Sequence, residues 1–193
     1  PAADTPLSAL AMAVLGERAG LPAGIFSVIT SIRSSDIGKE FCENHAVRKL
    51  TFTGSTAVGK HLAKLAAEDL KIATMELGGH APVLVFADAD IDKALDTMAA
   101  AKFRNAGQVC VSPTRFLVEE PVFEKFRDGF VERAKAVKVG NGFDADTDMG
   151  PMASARGLER MESLIGNAKG QGGKVLTGGE RIGNQGGFHQ PTV

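Results

Sequence analysis

Leu7, Leu10, Val14 and Leu15 recur at helical spacing behind Pro6, and the run stops at Gly20-Leu21-Pro22. That pattern predicts an amphipathic helix closed by a glycine and a proline. Ile25-Phe26-Ser27-Val28-Ile29 is short and apolar and reads as a buried strand. A short helix is expected around Ile37 to Cys42, then a strand from Val47 to Phe52. Thr53 to Gly59 joins that strand to a helix reaching about Glu68, and Lys71 to Met75 supplies a further strand. Strand and helix alternating in this way predict right-handed βαβ units and a parallel sheet.

After Gly78-Gly79 the pattern restarts. Pro82 to Phe86 reads as a strand, and Asp88 or Asp90 opens a helix carrying Ile91, Leu95 and Met98 on one face. Arg115 to Glu119 is the next strand, and Phe123, Phe126, Phe130 and Val137 fall in register on the helix behind it. A domain boundary is expected near Leu77, where the glycine pair lets the chain turn. From Lys138 onward glycine is frequent. Leu158, Met161, Leu164, Ile165 and Ala168 mark one more helix, and Gly170 to Gly187 reads as a glycine-rich loop with a short strand at Lys174 to Leu176.

Composition narrows the function classes. The 193 residues suit one or two domains, and 44% hydrophobic with 23% charged residues indicates a globular chain. A net charge of -1 gives no basic surface for nucleic acid. No apolar run approaches the ~20 residues that span a bilayer. The two cysteines, Cys42 and Cys110, lie far apart in dissimilar settings and are expected as reduced thiols, which places the protein in the cytoplasm or an organellar matrix. His45, His61, His80 and His189 show no ligand spacing, so no metal is expected. The chain opens on Pro1 and closes on Pro191-Thr192-Val193, which resembles the start of a strand, so a piece of a longer chain is expected.

Three stretches carry candidate chemistry. Gly54-Ser55-Thr56-Ala57-Val58-Gly59-Lys60 approaches the GxxxxGK[ST] phosphate loop, but His61 stands where a magnesium-binding hydroxyl belongs. What survives is a strand feeding a helix whose free amides and positive dipole end face an anion such as a dinucleotide pyrophosphate. A plain N-cap at Ser55 is the alternative. Met75-Glu76-Leu77-Gly78-Gly79 sets a carboxylate between apolar neighbours at a strand end, where desolvation would suit a general base; a turn-capping glutamate is the other reading. Cys110 follows Gly107 and Gln108 in a loop behind a helix. Taken alone, it fits a small packed hydrophobe or a nucleophile.

The three stretches in this order, Phe52 to Gly59, Met75 to Gly79 and Gly107-Gln108-Val109-Cys110, resemble the aldehyde dehydrogenase superfamily. The similarity runs the whole length, and Lys102 to Gln108 is most like the succinate-semialdehyde dehydrogenases, with other semialdehyde enzymes close to them. The resemblance implies an α/β protein: the C-terminal part of a parallel-sheet dinucleotide-binding domain over residues 1–77, then the N-terminal part of an α/β catalytic domain over 78–193, both incomplete. It makes Cys110 the nucleophile and Glu76 the general base. It places Gly54 and Ser55 at the pyrophosphate, Leu77 by the nicotinamide, and Pro1, Ala2 and Ala3 beside the adenosine ribose. Arg104 would hold the substrate carboxylate through two parallel hydrogen bonds, a solvated helix end being the bland alternative. The implied cofactor is NAD or NADP, since Ala3 lacks the carboxylate that would repel a 2′-phosphate. The implied partners are a small aldehyde and, in the parent enzyme, further copies of itself, with no nucleic acid and no membrane.

The implied chemistry is attack by the Cys110 thiolate on the aldehyde carbon, hydride loss to leave a thioester, and hydrolysis by water that Glu76 activates. A free thiol with a pKa near ~8.5 needs nearby positive charge or bound cofactor to ionise at neutral pH. The family's upstream asparagine and lysine and its downstream glutamate and phenylalanine are not in this chain, which by itself is expected to be inactive. Ser31 stands where the family often has glycine, and Ser112 where many members have a second cysteine. A catalytically idle dehydrogenase-like module and a nucleotide triphosphatase are the competing classes; intact Glu76 and Cys110 oppose the first and His61 the second.

Overall fold

Helices form where cap and spacing coincide. In the computed structural model, which describes residues Pro1–Val193, α1 spans Leu7–Arg18, α2 Ser34–Glu43, β1 Lys49–Gly54, α3 Thr56–Glu68 and β2 Ile72–Leu77. There follow β3 (Val83–Val85), α4 (Ile91–Phe103), a 3-10 turn (Arg104–Gly107), β4 (Phe116–Val118), α5 (Glu120–Ala136) and α6 (Ala155–Gly170). The Asp90 carboxylate accepts from the Lys93 amide at 3.1 Å, so Asp90 rather than Asp88 caps α4. Ser154 does the same for α6 through the Gly157 amide at 3.1 Å. Each cap satisfies one of the helix's unpaired N–H groups.

The chain divides into two compact units, Pro1–Leu77 and Gly78–Val193. In the first, β1 and β2 pair in parallel across α3. Their core is Cys42, Leu50, Leu62 and Ala66. Lys71, its side chain almost fully covered, donates to the carbonyls of Phe41 (3.2 Å) and Asn44 (2.7 Å) and closes the C-terminal end of α2.

One expectation fails in this unit. Ile25 to Ile29 forms no strand, and Ile25 is 70% exposed. Apolar sequence alone does not make a strand: the backbone groups need a ladder partner, and β1 and β2 pair only with each other. Helix α1 forms as its periodicity predicts but buries none of its residues. Leu7, Leu10 and Leu15 stand exposed on this chain.

In the second unit β3 and β4 pair in parallel, Val83 opposite Phe116 and Val85 opposite Val118. Helices α4 and α5 close over Ile91, Leu95, Ala99, Phe103, Phe126, Phe130 and Ala134. Phe116 and Phe130 lie 4.9 Å apart between ring centroids, and Phe103 and Phe126 each stand 5.8 Å from Phe130. The first two pairs are tilted and Phe126–Phe130 is stacked; such pairs add roughly 0.5–1.5 kcal/mol each beyond their area burial. Gly129 lets the two helices close, since a Cβ there would meet Leu95 Cδ1 at 2.5 Å. Phe123, in register with Phe126 and Phe130 by sequence, is 46% exposed at the first turn of α5.

The short strand expected at Lys174 to Leu176 is absent. Only the exchange between Thr177 and Val193 and the Leu176 amide bond to Val193 (2.8 Å) tie this stretch down, and the surrounding glycines supply no side chains to pack.

Candidate active site

The strand register of the first unit assembles most of its candidate residues. Thr53 faces Glu76 and Gly54 faces Leu77, so Gly54, Glu76 and Leu77 meet at the carboxyl ends of two parallel strands. Ser55 follows directly as the N-cap of α3, its hydroxyl accepting from the Val58 amide at 3.4 Å. In parallel α/β sheets this edge is where ligands bind. Gly59, one turn on, is buried, and a Cβ there would meet Leu77 Cδ2 at 2.5 Å, so glycine brings α3 down onto β2. Gly54 and Ser55 are themselves exposed at the positive end of α3.

Glu76 departs from its expected setting. It is exposed, not enclosed by Met75 and Leu77. The reason is the strand period: neighbours at i±1 point to the opposite face, so Met75 and Leu77 are partly covered while Glu76 faces outward. The desolvation inferred from its apolar neighbours is therefore not present. Pro1, Ala2 and Ala3 are exposed coil, fastened by the Thr5 amide to the Ala2 carbonyl (3.2 Å). Pro1 also lines a cavity of about 310 Å3 with Ala9, Phe26, Ser31 and Ile37. Ser31 accepts from the Arg33 amide at 2.8 Å, a local turn that glycine would not make.

In the second unit α4 delivers the chain into the 3-10 turn, and Cys110 sits just beyond. Asn105, Ala106 and Gly107 have φ values of 53°, 53° and 73°, three left-handed residues in succession. Cys110 then occupies a tight turn closed by the Ser112 amide on the Val109 carbonyl at 2.9 Å. Its thiol is exposed, and its carbonyl lies 3.8 Å from where a Gly79 side chain would begin. Behind the turn Ser112, 2% exposed, donates to the Lys102 carbonyl at 3.4 Å. Thr114 donates both its amide (3.1 Å) and its hydroxyl (2.7 Å) to the His80 carbonyl. Gln108 spans from the Asn105 carbonyl to the Ala153 amide. The sequence assigns no role to Gln108, Ser112 or Thr114; the one signal available is their place within three or four residues of the cysteine.

Arg104 is exposed at the end of α4 and borders a shallow depression with Asp96, Asn105 and Arg133. Gly107 and Gln108 instead line a separate cavity of about 450 Å3 with Met149, Met161 and His189. Arg104 and the turn thus bracket the left-handed segment without sharing a cavity.

The two thiols contrast in their burial. Cys42 is 1% exposed, its Sγ 3.7 Å from the Leu62 carbonyl. Burial pushes its pKa up, opposed by the Lys71 ammonium. Burial also pushes the Lys102 ammonium, beside Gly107, below its ordinary value.

Comparisons with known proteins place this arrangement. All of residues 1–193 match the aldehyde dehydrogenase family. The chain is 45% identical over its whole length to a probable succinate-semialdehyde dehydrogenase [NADP(+)] of Sinorhizobium fredii, of which it covers 39%. It is 44% identical to a 3-sulfolactaldehyde dehydrogenase of Pseudomonas putida, of which it covers 40%. A crystal structure of succinate-semialdehyde dehydrogenase from Burkholderia pseudomallei superposes on the whole chain with a TM-score of 0.95 at 45% identity, again over 40% of that protein. The chain spans about 40% of the length of the relatives it matches. No helix is long and apolar enough to cross a membrane. With an α/β fold of parallel strand pairs, a glycine-serine turn feeding α3 and a cysteine turn behind α4, matched from first residue to last, this chain belongs to the aldehyde dehydrogenase family.

Proposed function

We propose that the protein carrying this chain oxidises a short, carboxylate-bearing aldehyde, succinate semialdehyde or a related semialdehyde, to the acid with NAD or NADP. The observation that carries this reading is Cys110: the exposed thiol of a chain matched throughout to the family, held on a hydrogen-bonded turn while Cys42 is buried. The first unit fits a dinucleotide. Exposed Gly54 and Ser55 at the start of α3 offer backbone amides and a dipole end to a pyrophosphate, and Leu77 stands in register beside them. Pro1, Ala2 and Ala3 would lie along the adenosine ribose. The chemistry the dinucleotide supplies when bound is hydride acceptance.

Cys110 Sγ bonds to the aldehyde carbon, and the carbonyl oxygen becomes an oxyanion that the Cys110 amide is suited to meet. With hydride lost from that carbon the enzyme holds a thioester. Glu76 then takes a proton from water, the water oxygen bonds to the acyl carbon, and the C–S bond breaks to release the acid and restore the thiolate.

The substrate class rests on Arg104 and on two relatives. Succinate semialdehyde and 3-sulfolactaldehyde, named for those proteins, are both short aldehydes with an acidic group at the far end. Arg104 is exposed, and its planar guanidinium is suited to a two-point contact with a carboxylate. The setting consistent with two unpaired thiols is cytoplasm or an organellar matrix. In the full-length protein Arg104→Ala is expected to raise the KM for succinate semialdehyde about 10- to 100-fold, the worth of a charge-assisted contact, while leaving butanal oxidation little changed. Steady-state kinetics on the two aldehydes check this; equal losses on both would remove Arg104 from substrate binding.

A further inference from the structure

Between α4 and the cysteine turn the backbone runs through three consecutive left-handed residues, two of them not glycine. L side chains rarely adopt this region, and a run of three persists only where surrounding bonds hold it. Those bonds converge on one side chain. The Asn105 carbonyl accepts from both the backbone amide and Nε2 of Gln108, each at 3.0 Å, and Asn105 Nδ2 donates back to the Gln108 carbonyl at 3.3 Å. The other end of the same carboxamide, Oε1, accepts from the Ala153 amide at 3.1 Å, 45 residues away. The orientation of the carboxamide follows from its partners: a backbone carbonyl only accepts and a backbone amide only donates.

The anchor at Ala153 is itself fixed. The Met152 amide donates to the Gly187 carbonyl at 2.8 Å, and Ser154 caps α6. On the far side of the cysteine, buried Ser112 holds the turn to Lys102. Cys110 therefore rides on a turn pinned on both sides, with Gln108 as its sole side-chain link to the start of α6. A carboxamide is the group that donates to Asn105 and accepts from Ala153 at once; an ionised carboxylate accepts only.

We propose that Gln108 is the positioning residue for Cys110, its carboxamide bracing the left-handed turn against the start of α6 so that the thiol and the Cys110 amide hold their attack geometry. The inference rests on Cys110 being the nucleophile, and it assigns Gln108 no contact with substrate. Small misplacements of a reacting group cost rate rather than affinity.

The test uses the full-length protein and two variants. Gln108→Met keeps the volume and removes both bonds; kcat is expected to fall about 10- to 100-fold, with KM for the aldehyde within about threefold. Amide hydrogen exchange in the peptide spanning Cys110 is expected to speed up at least about tenfold as its closing bonds open more often. Gln108→Glu retains the bond to Ala153 and, while ionised, sets an oxygen against the Asn105 carbonyl. Protonated, it is an isostere of glutamine. Its kcat relative to wild type at each pH is therefore expected to climb as pH falls from about 8 to about 5, toward the carboxyl range, while the ratio for Gln108→Met stays flat. A purely structural role would give neither that pH-dependent recovery nor a loss confined to kcat. Wild-type kcat in Gln108→Met, or exchange at the turn unchanged, would overturn the proposal. If Gln108→Met does not fold, the pH ratio of Gln108→Glu decides alone, and a flat ratio overturns it. Cys110→Ala is measured alongside: retained aldehyde oxidation there would sink the nucleophile assignment and the positioning role with it, even with exchange at the turn increased.

Discussion

The pairs β1–β2 and β3–β4 each set two parallel strands on either side of a helix in the chain, yet they are packed very differently. The first rests on four buried residues around α3. The second closes nine buried residues between its strands, α4 and α5, with a cluster of phenylalanines at the centre. The two cysteines invert that ranking: the lightly packed unit buries Cys42, and the densely packed one displays Cys110. A dense core is what allows a strained turn to stand at its edge. The left-handed segment starts two residues after buried Phe103, and its one distant partner, the Ala153 amide, lies next to the capped start of α6. The first unit offers instead an open strand edge, where Gly54, Ser55 and Glu76 face outward.

The contrast breaks most visibly at the two reactive groups. In the full-length protein Cys110→Ala is expected to lower aldehyde oxidation on the order of 10^3-fold or more and to abolish the first-turnover burst of reduced cofactor. Glu76→Gln, by comparison, keeps that burst and loses steady-state turnover. Stopped-flow absorbance of the reduced cofactor separates the two; a Cys110→Ala burst of wild-type size would reverse the reading.

The packing side is sharpened by Phe130, 6% exposed at the centre of the aromatic cluster, and Leu62, 8% exposed in the smaller core. Phe130→Ala is expected to cost about 3–5 kcal/mol and Leu62→Ala about 2–3 kcal/mol, measured by denaturant unfolding. A Leu62 cost equal to that of Phe130 would erase the difference between the cores. The smallest effect belongs to Ser55→Ala. Losing a cap bond as long as 3.4 Å is expected to cost about 0.5–1 kcal/mol, read as a shift in the unfolding midpoint. A loss several times larger would show Ser55 supporting more than the first turn of α3.

Much of this was legible from residue order alone. Helices α1, α3, α4, α5 and α6 and strands β1 to β4 lie within a few residues of where periodicity puts them, because spacing, caps and β-branched runs act on the chain locally. The motif residues also announced themselves by type and order. Less was legible wherever two distant segments had to meet. Gln108 sits in plain view beside Cys110, but its partner Ala153 lies 45 residues on, in a stretch with no signal of its own.

The sequence by itself determined where the five helices α1, α3, α4, α5 and α6 and the strands β1 to β4 form and which thiol carries the family motif, since these depend on near neighbours along the chain. Tertiary structure decided burial and pairing. Within this chain, about 40% of the length of its relatives, Glu76 turns outward through strand alternation and Ser112 is buried under the cysteine turn. The physical reason is common to these cases. A side chain's periodicity says which way it can face, whereas its solvation depends on what the rest of the chain brings to that face.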